Sequence, residues 1–411
     1  MNLPPSYSAS TSESLPDYSS DPAQNERRIA YQRRPHYDPE PDGLYIQKED
    51  KVTLVLTNQR HGASLPEYNR RSVISGSIIL DDPRSIEELK IELKCRVEFL
   101  TLSHGFLSRE INRISQLLYS KEQTGAECPS SVPLSCPFPS TYKCEGTSYS
   151  LPPTYNETLY AENAQYARVS HSLNVVVTKT RNRKAVAVLG KNKRMFSAAL
   201  NYRPRSRPQR PIPCDYSFLS TIKVCPEEWQ QSVTTIEPRF PGPNSPQSIS
   251  CQLFLPSVGV FDLNGTIPFH VQLASSTATL SRLCQGDNKH PPIKVSLGRQ
   301  LLLDMGDRKV PIVFNLGQGK IALSPDFRSG PSHQEAVLNF EGHVTVGSPN
   351  NTVATFDSGI IAVRDFVCVE LSPKVTSTAT LFSPFRHAHV VKLVTDPWSD
   401  IPDAFGYSSL S

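Results

Sequence analysis

The chain has 411 residues, 36 of them proline, with 38% apolar residues and a formal net charge of +4. That length accommodates two or three ordinary domains with real hydrophobic cores. No run approaches the roughly 18 apolar residues of a membrane span, and the N-terminus has neither the basic start nor the apolar stretch of a secretory signal, so a soluble intracellular protein is expected. The nine cysteines include no CxxC pair. Cys128, Cys136 and Cys144 recur every eight residues but among prolines, so they are read as reduced thiols without a metal.

Residues 1–43 read as a disordered head. Seven of the first twenty residues are Ser and the first basic residue is Arg27. Such a composition buries too little apolar surface to offset the entropy of ordering. The head carries "LPPSY" (Leu3–Tyr7) and the weaker "LPDY" (Leu15–Tyr18). Two adjacent prolines pre-set a polyproline II helix, so little entropy is lost when the string docks in an aromatic-lined groove. The tyrosine returns to the same side and fills a second pocket. WW domains are the expected receptors, with Pro4, Pro5 and Tyr7 as the contacts. Pro16 and Tyr18 add to them by raising effective concentration. Chance predicts about 0.1 PPxY strings in a chain of this composition, and two occur.

Beyond the head the texture changes to strands. In "LKIELKCRVEF" (Leu89–Phe99) six apolar residues alternate strictly with five charged ones. A period of two places one face in a core and the other in water, whereas a helix would spread the same residues around its circumference. "VTLVL" (Val52–Leu56), "SVISGSIIL" (Ser72–Leu80) and "HSLNVVVTK" (His171–Lys179) are further strands rich in β-branched residues. Another weaker relative of the head strings, "LPEY", stands at Leu65–Tyr68.

The second full string, "LPPTY" (Leu151–Tyr155), lies between two predicted strands. Pro152, Pro153 and Tyr155 can serve there either as a second WW ligand or as a turn. Lys179–Arg210 then holds eleven Lys and Arg and no acidic residue, so the remainder of the chain sums to 4 − 11 = −7. Its first part reads as a hairpin around a basic loop. Lys179, Arg181, Arg183, Lys184, Lys191, Lys193 and Arg194 are candidate contacts for an anionic lipid or phosphate. Only Phe196 and Tyr202 are interleaved with these cations, too few aromatics for the stacking that nucleic-acid binding uses.

Four prolines within Asn201–Pro213 make a stiff linker. The second half repeats the strand texture in "SCQLFLP", "IPFHVQL", "PIKVSL", "VPIVFNL", "AVLNFEGHVTV" and "IIAVRDFVCVEL", with two helical turns predicted at "PEEWQQSV". Short strands between Pro, Gly and Ser turns argue for β-sandwiches.

The signatures of catalysis are missing. "LGQGK" (Leu316–Lys320) ends like a phosphate-binding loop, but Phe314 stands where its first Gly belongs. "HAH" (His387–His389) places two imidazoles on one strand face without a third ligand in sight. No catalytic residue, cofactor or metal is assigned, and a binding role is expected.

The chain resembles the arrestin-like proteins of the α-arrestin type, the fungal arrestin-like family, over roughly residues 44–398. The resemblance rests on "SVISGSIILDDPRSIEELKIELKCRVEF", on "VPLSCPFPSTY" followed by "LPPTY" and "YARVSHSLNVVVTKTRNRK", and on the later "CQLFLPSVGVFDLNGTIPFHVQL" and "HAHVVKLVTDPW". It implies an all-β protein of two tandem immunoglobulin-like β-sandwich domains of the arrestin fold, at 44–202 and 214–397. Around them lie the head, a Pro/Arg linker at 203–213 and a short tail at 398–411. It implies a cytoplasmic trafficking adaptor, recruited peripherally to plasma membrane or endosomes. PPxY strings would bring a WW-domain HECT-type ubiquitin ligase to membrane protein cargo, for ubiquitination and endocytosis. The other function this fold implies is an endosomal or coat-associated scaffold without ligase recruitment. The family carries its PPxY strings in a long C-terminal tail; here the free string is in the head. The family also uses its L-P-P-S-aromatic turn as part of the fold, which favours a structural part for Leu151–Tyr155.

Overall fold

The structure is a computed structural model that describes residues 41–101, 105–159, 165–179, 192–212, 218–243, 245–284, 291–306, 308–323, 328–329, 335–348, 352–372, 381–399 and 408–409. It is all-β, and among the described residues no helix is long and apolar enough to cross a membrane.

Among the described residues the first half holds twelve strands. They are β1 (Gly43–Glu49), β2 (Val52–Gln59), β3 (Glu67–Tyr68), β4 (Val73–Leu80), β5 (Ile86–Thr101) and β6 (Gly105–Ser120). β7 (Ser131–Pro137), β8 (Thr141–Cys144), β9 (Thr147–Ser150), β10 (Tyr155–Leu159), β11 (Gln165–Lys179) and β12 (Asn192–Tyr202) follow. One sheet has the order β1-β2-β4-β7 and the other β3-β12-β11-β5-β6. In the second sheet β10 pairs with β11 beyond the stretch that β12 covers. The alternation read from Leu89–Phe99 is realised in β5. Its apolar residues are buried, while Lys90 and Lys94 lie beside Glu92 on the far face, the Lys94–Glu92 pair at 2.9 Å. Leu54, Leu56, Ile74 and Ile78 from the first sheet meet Leu93, Leu173 and Val175 from the second in one core, as in a sandwich.

The second half continues with β13 (Ser206–Arg207), β14 (Trp229–Ile236), β15 (Ile249–Pro256), β16 (Val260–Asp262), β17 (Thr266–Ser276) and β18 (Ile293–Asp304). After these come β19 (Lys309–Leu323), β20 (Arg328–Ser329), β21 (Glu335–Thr345), β22 (Phe356–Asp357), β23 (Ile361–Leu371), β24 (Arg386–Val394) and β25 (Ser408–Ser409). The main path is β14-β15-β17-β21-β19-β18-β23-β24-β16, one sheet curled around a second core. The expected helix at "PEEWQQSV" is not formed: Pro226–Glu228 make a single 3-10 turn and Trp229 opens β14. The alternative that wins is a ladder with β15, in which Trp229 is paired with Pro256 and packed edge-on against Phe218.

The curl turns on "LGQGK". Up to Gln318, β19 pairs with β18; from Gly319 it pairs with β21. A Cβ on Gly317 would stand 1.9 Å from the Thr345 carbonyl oxygen, and one on Gly319 would stand 2.9 Å from that of Val295. These glycines allow β19 to change partners where the sheet curls, which is a backbone requirement unrelated to phosphate.

The two cores are not separated at the linker. On β18, Ile293, Val295 and Leu297 belong to the second core, while Leu301 and Leu303 belong to the first. On β23 the order is reversed: Ile361 and Val363 enter the first core, Val367 and Val369 the second. On β19, Val310, Ile312 and Phe314 pack against the first core and Leu316 and Ile321 against the second. Three strands of the second half therefore extend into the first. The hairpin β8–β9 holds the turn that leads into β23, with Tyr142 donating to the Ser358 carbonyl and the Tyr149 ring 2.8 Å from where a Cβ on Gly359 would be.

Candidate functional site

At the crossing point the inward phase of both strands carries a charge. Arg299 is paired directly opposite Asp365 in the β18–β23 ladder, and the two residues are 1% and 0% exposed. The Arg299 Nε donates to Asp365 Oδ1 at 2.7 Å and its Nη2 to Oδ2 at 3.0 Å, a bidentate pair. The remaining valences are met locally. Arg299 Nη2 also donates to the Val353 carbonyl at 2.8 Å, and the Thr355 hydroxyl donates to Asp365 Oδ2 at 2.6 Å. Neither residue was nominated from the sequence. The available signal was one inward charge of each sign in two otherwise apolar alternations, Leu297–Arg299–Leu301 and Val363–Asp365–Val367.

The second pentapeptide lies beside this pair. Leu151, Pro152, Pro153 and Tyr155 are all buried, with Tyr155 3% exposed. The turn closes the gap between the end of β12 and the start of β10. The Thr154 N–H donates to the Tyr202 carbonyl at 2.8 Å, and the Tyr202 N–H donates to the Thr154 hydroxyl at 2.8 Å. The Pro152 carbonyl is 3.0 Å from His171 Nε2, and the Tyr155 ring stands edge-on to Phe356. Burial pushes the Tyr155 phenol well above its ordinary range, with smaller influences from Glu157, Arg299 and Asp365. A WW groove needs both prolines and the tyrosine on the surface, and here all three are within the fold. The weaker string at Leu65–Tyr68 is likewise built in: Tyr68 is buried and stacked on Phe138 at 5.7 Å.

His171 holds this turn as a neutral group. Burial lowers its pKa to about 4, opposed by the bond to Pro152. As pH falls below the unfolded value of about 6.5, the unfolded chain takes up the proton first, so stability present near neutral pH is lost toward pH 4. Buried His270, also lowered to about 4 by burial, acts in the same direction. We expect each to contribute roughly 1.4 kcal/mol of lost stability per pH unit over that window; equal urea midpoints at pH 7 and pH 5 would contradict it.

A cavity of about 300 Å³ opens over the seam. Its walls are the turn (Leu151, Pro153, Thr154), the end of β12 with the linker (Asn201, Arg203, Pro204, Ser206) and Thr352–Asp357, with Arg70 at one side. Thr355 and Val353, which line it, are the residues that bond Asp365 and Arg299 on their other side. The linker is fastened to the second half by Arg205 against Asp396, at 3.1 and 3.2 Å from Nε, and by reciprocal bonds between Ser206 and Thr395.

The remaining nominated residues are not gathered here. Lys179, Lys193 and Arg194 sit at the adjoining ends of β11 and β12, Lys193 exposed and Arg194 paired with Asp50. Arg181, Arg183, Lys184 and Lys191, and the head residues Pro4, Pro5, Tyr7, Pro16 and Tyr18, lie outside the described residues. His387 and His389 are half-buried on one face of β24, His387 at 2.8 Å from the Ser232 hydroxyl. Among the described residues no group of three His, Cys, Asp or Glu could hold a metal ion.

No protein-family model matches this chain, and a search of curated proteins finds no match.

Proposed function

We propose that the chain is an arrestin-like trafficking adaptor of two tandem arrestin-fold domains. Its head string Leu3–Tyr7 recruits a WW-domain HECT-type ubiquitin ligase to membrane protein cargo. The observation that carries this reading is the contrast between the strings. Tyr155 and Tyr68 are packed inside the fold, so presentation of a proline–tyrosine string to a WW domain falls to the head. The all-β architecture with two cores, and the resemblance of its sequence blocks, support the adaptor class. The basic ends of β11 and β12 supply a contact for an anionic membrane surface, with Arg194 the weaker contributor because Asp50 already balances it.

The test is titration of WW domains into the full chain. Tyr7→Ala is expected to lower affinity at least tenfold, about 1.4 kcal/mol, and Tyr18→Ala to lower it by less. Unchanged binding by the Tyr7 variant would remove ligase recruitment and leave a cargo scaffold of the same fold.

A further inference from the structure

We infer that the seam cavity is a binding site for a small phosphomonoester. Two arginines line it, and the backbone register brings their chain segments together. β3 and β12 run parallel with Tyr68 opposite Tyr202, and the Arg203 N–H donates to the Tyr68 carbonyl at 2.8 Å. Arg203 thus follows one strand end and Arg70 lies two residues past the other. A tight turn holds Arg70 there: the Asn69 N–H donates to the Ser72 hydroxyl, which donates to Asn69 Oδ1, both at 3.0 Å, with Arg71 in the left-handed region.

Neither Arg70 nor Arg203 has a carboxylate partner among the described residues, unlike Arg205, Arg210 and Arg299 close by. Arg70 is half-buried, near enough to Tyr202 to oppose the rise that burial gives that phenol. A partly desolvated guanidinium without a counter-charge is unfavourable, and an oxyanion restores the balance. Half-buried Arg70 and exposed Arg203 together match the two charges of a phosphomonoester better than a single carboxylate does. The apolar walls Leu151, Pro153, Pro204 and Phe356 accept a carbon skeleton, and exposed Asp357, whose Oδ1 already accepts the Gly359 N–H, keeps Oδ2 to accept a hydroxyl from it. The volume, about 300 Å³, is at the small end of the range for organic ligands. The site is independent of the head string.

The experiment is calorimetric titration of the full chain with glycerol 3-phosphate, and in parallel its sedimentation with phosphatidylcholine vesicles with and without phosphatidic acid. Saturable binding of glycerol 3-phosphate, weakened at least tenfold by Arg70→Gln with Arg203→Gln and unchanged by Tyr7→Ala, is expected and points to a soluble ligand. Binding confined to the phosphatidic acid vesicles and reduced by the same substitutions, beyond what the basic ends of β11 and β12 retain, supports the site with a lipid source. Arg203 is exposed, so Arg203→Gln alone gives the reading if the double variant does not fold. Absence of binding in both arms, glycerol 3-phosphate binding that survives the substitutions, or vesicle binding of which the substitutions remove no part, overturns the inference.

Discussion

Asp365→Ala is expected to remove about 3–5 kcal/mol of folding stability, the usual effect of leaving one member of a buried ion pair without the other. Arg299 would keep only the Val353 carbonyl for a guanidinium that is 1% exposed, and the Thr355 hydroxyl would lose its acceptor. Because the pair stands where β18 and β23 pass from one core to the other, the damage should be local before it is global. Amide exchange should rise first around Leu301–Leu303 and Ile361–Val363, the segments that extend into the first core. Replacing both partners with apolar residues of similar length, Arg299→Met with Asp365→Leu, is expected to recover most of the loss, since a buried pair adds little net stability over a packed apolar contact. A urea unfolding free energy for Asp365→Ala within about 1 kcal/mol of the parent would show that water reaches this pair.

The strands are readable from the sequence in two ways. Leu89–Phe99 is legible because a charged residue marks every second position, whereas "HSLNVVVTK" and "IIAVRDFVCVEL" are legible from their β-branched and apolar content and are buried along most of their length. β6 is not legible. Its "REINRISQLL" carries Ile111, Ile114 and Leu118 at helical spacing, and the local pattern is overridden by a 16-residue edge strand paired to β5 through two register shifts. Trp229–Val233 fails for the same reason, its pairing with β15 outweighing a weak helical preference. The seam is hidden at a different level. A period of two says that Leu301 and Val363 face inward but not into which core, so division at the proline-rich linker assigns them to the wrong one. Arg299 and Asp365 sit in the inward phase, where a lone charge reads as an irregularity until the opposite strand supplies its partner. Arg70 and Arg203 become neighbours only through the two-residue parallel pairing of β3 with β12, too short to leave a sequence pattern.

Tyr155→Ala is the second large effect, expected at about 3–5 kcal/mol, the range for truncating a buried aromatic side chain. The ring contacts Phe356 from the second half, so the truncation removes packing on both sides of the seam. Tyr155→Phe separates ring from hydroxyl. The phenol oxygen is buried without a hydrogen-bond partner among the described residues, so its removal should leave stability unchanged or slightly raised. That pair of results is the opposite of what a WW ligand gives, because there the ring and its hydroxyl work at the surface and stability is indifferent to both. The comparison also tests the division of labour between the two pentapeptides. In the full chain, Tyr155→Phe should bind WW domains as the parent does, whereas Tyr7→Ala should not. Should WW binding instead fall with Tyr155→Phe while the fold stays intact, the turn must open in solution to present Pro152, Pro153 and Tyr155. Its bonds to Tyr202 and His171 would then have to break together, and the cost of breaking them would appear as a correspondingly weaker affinity.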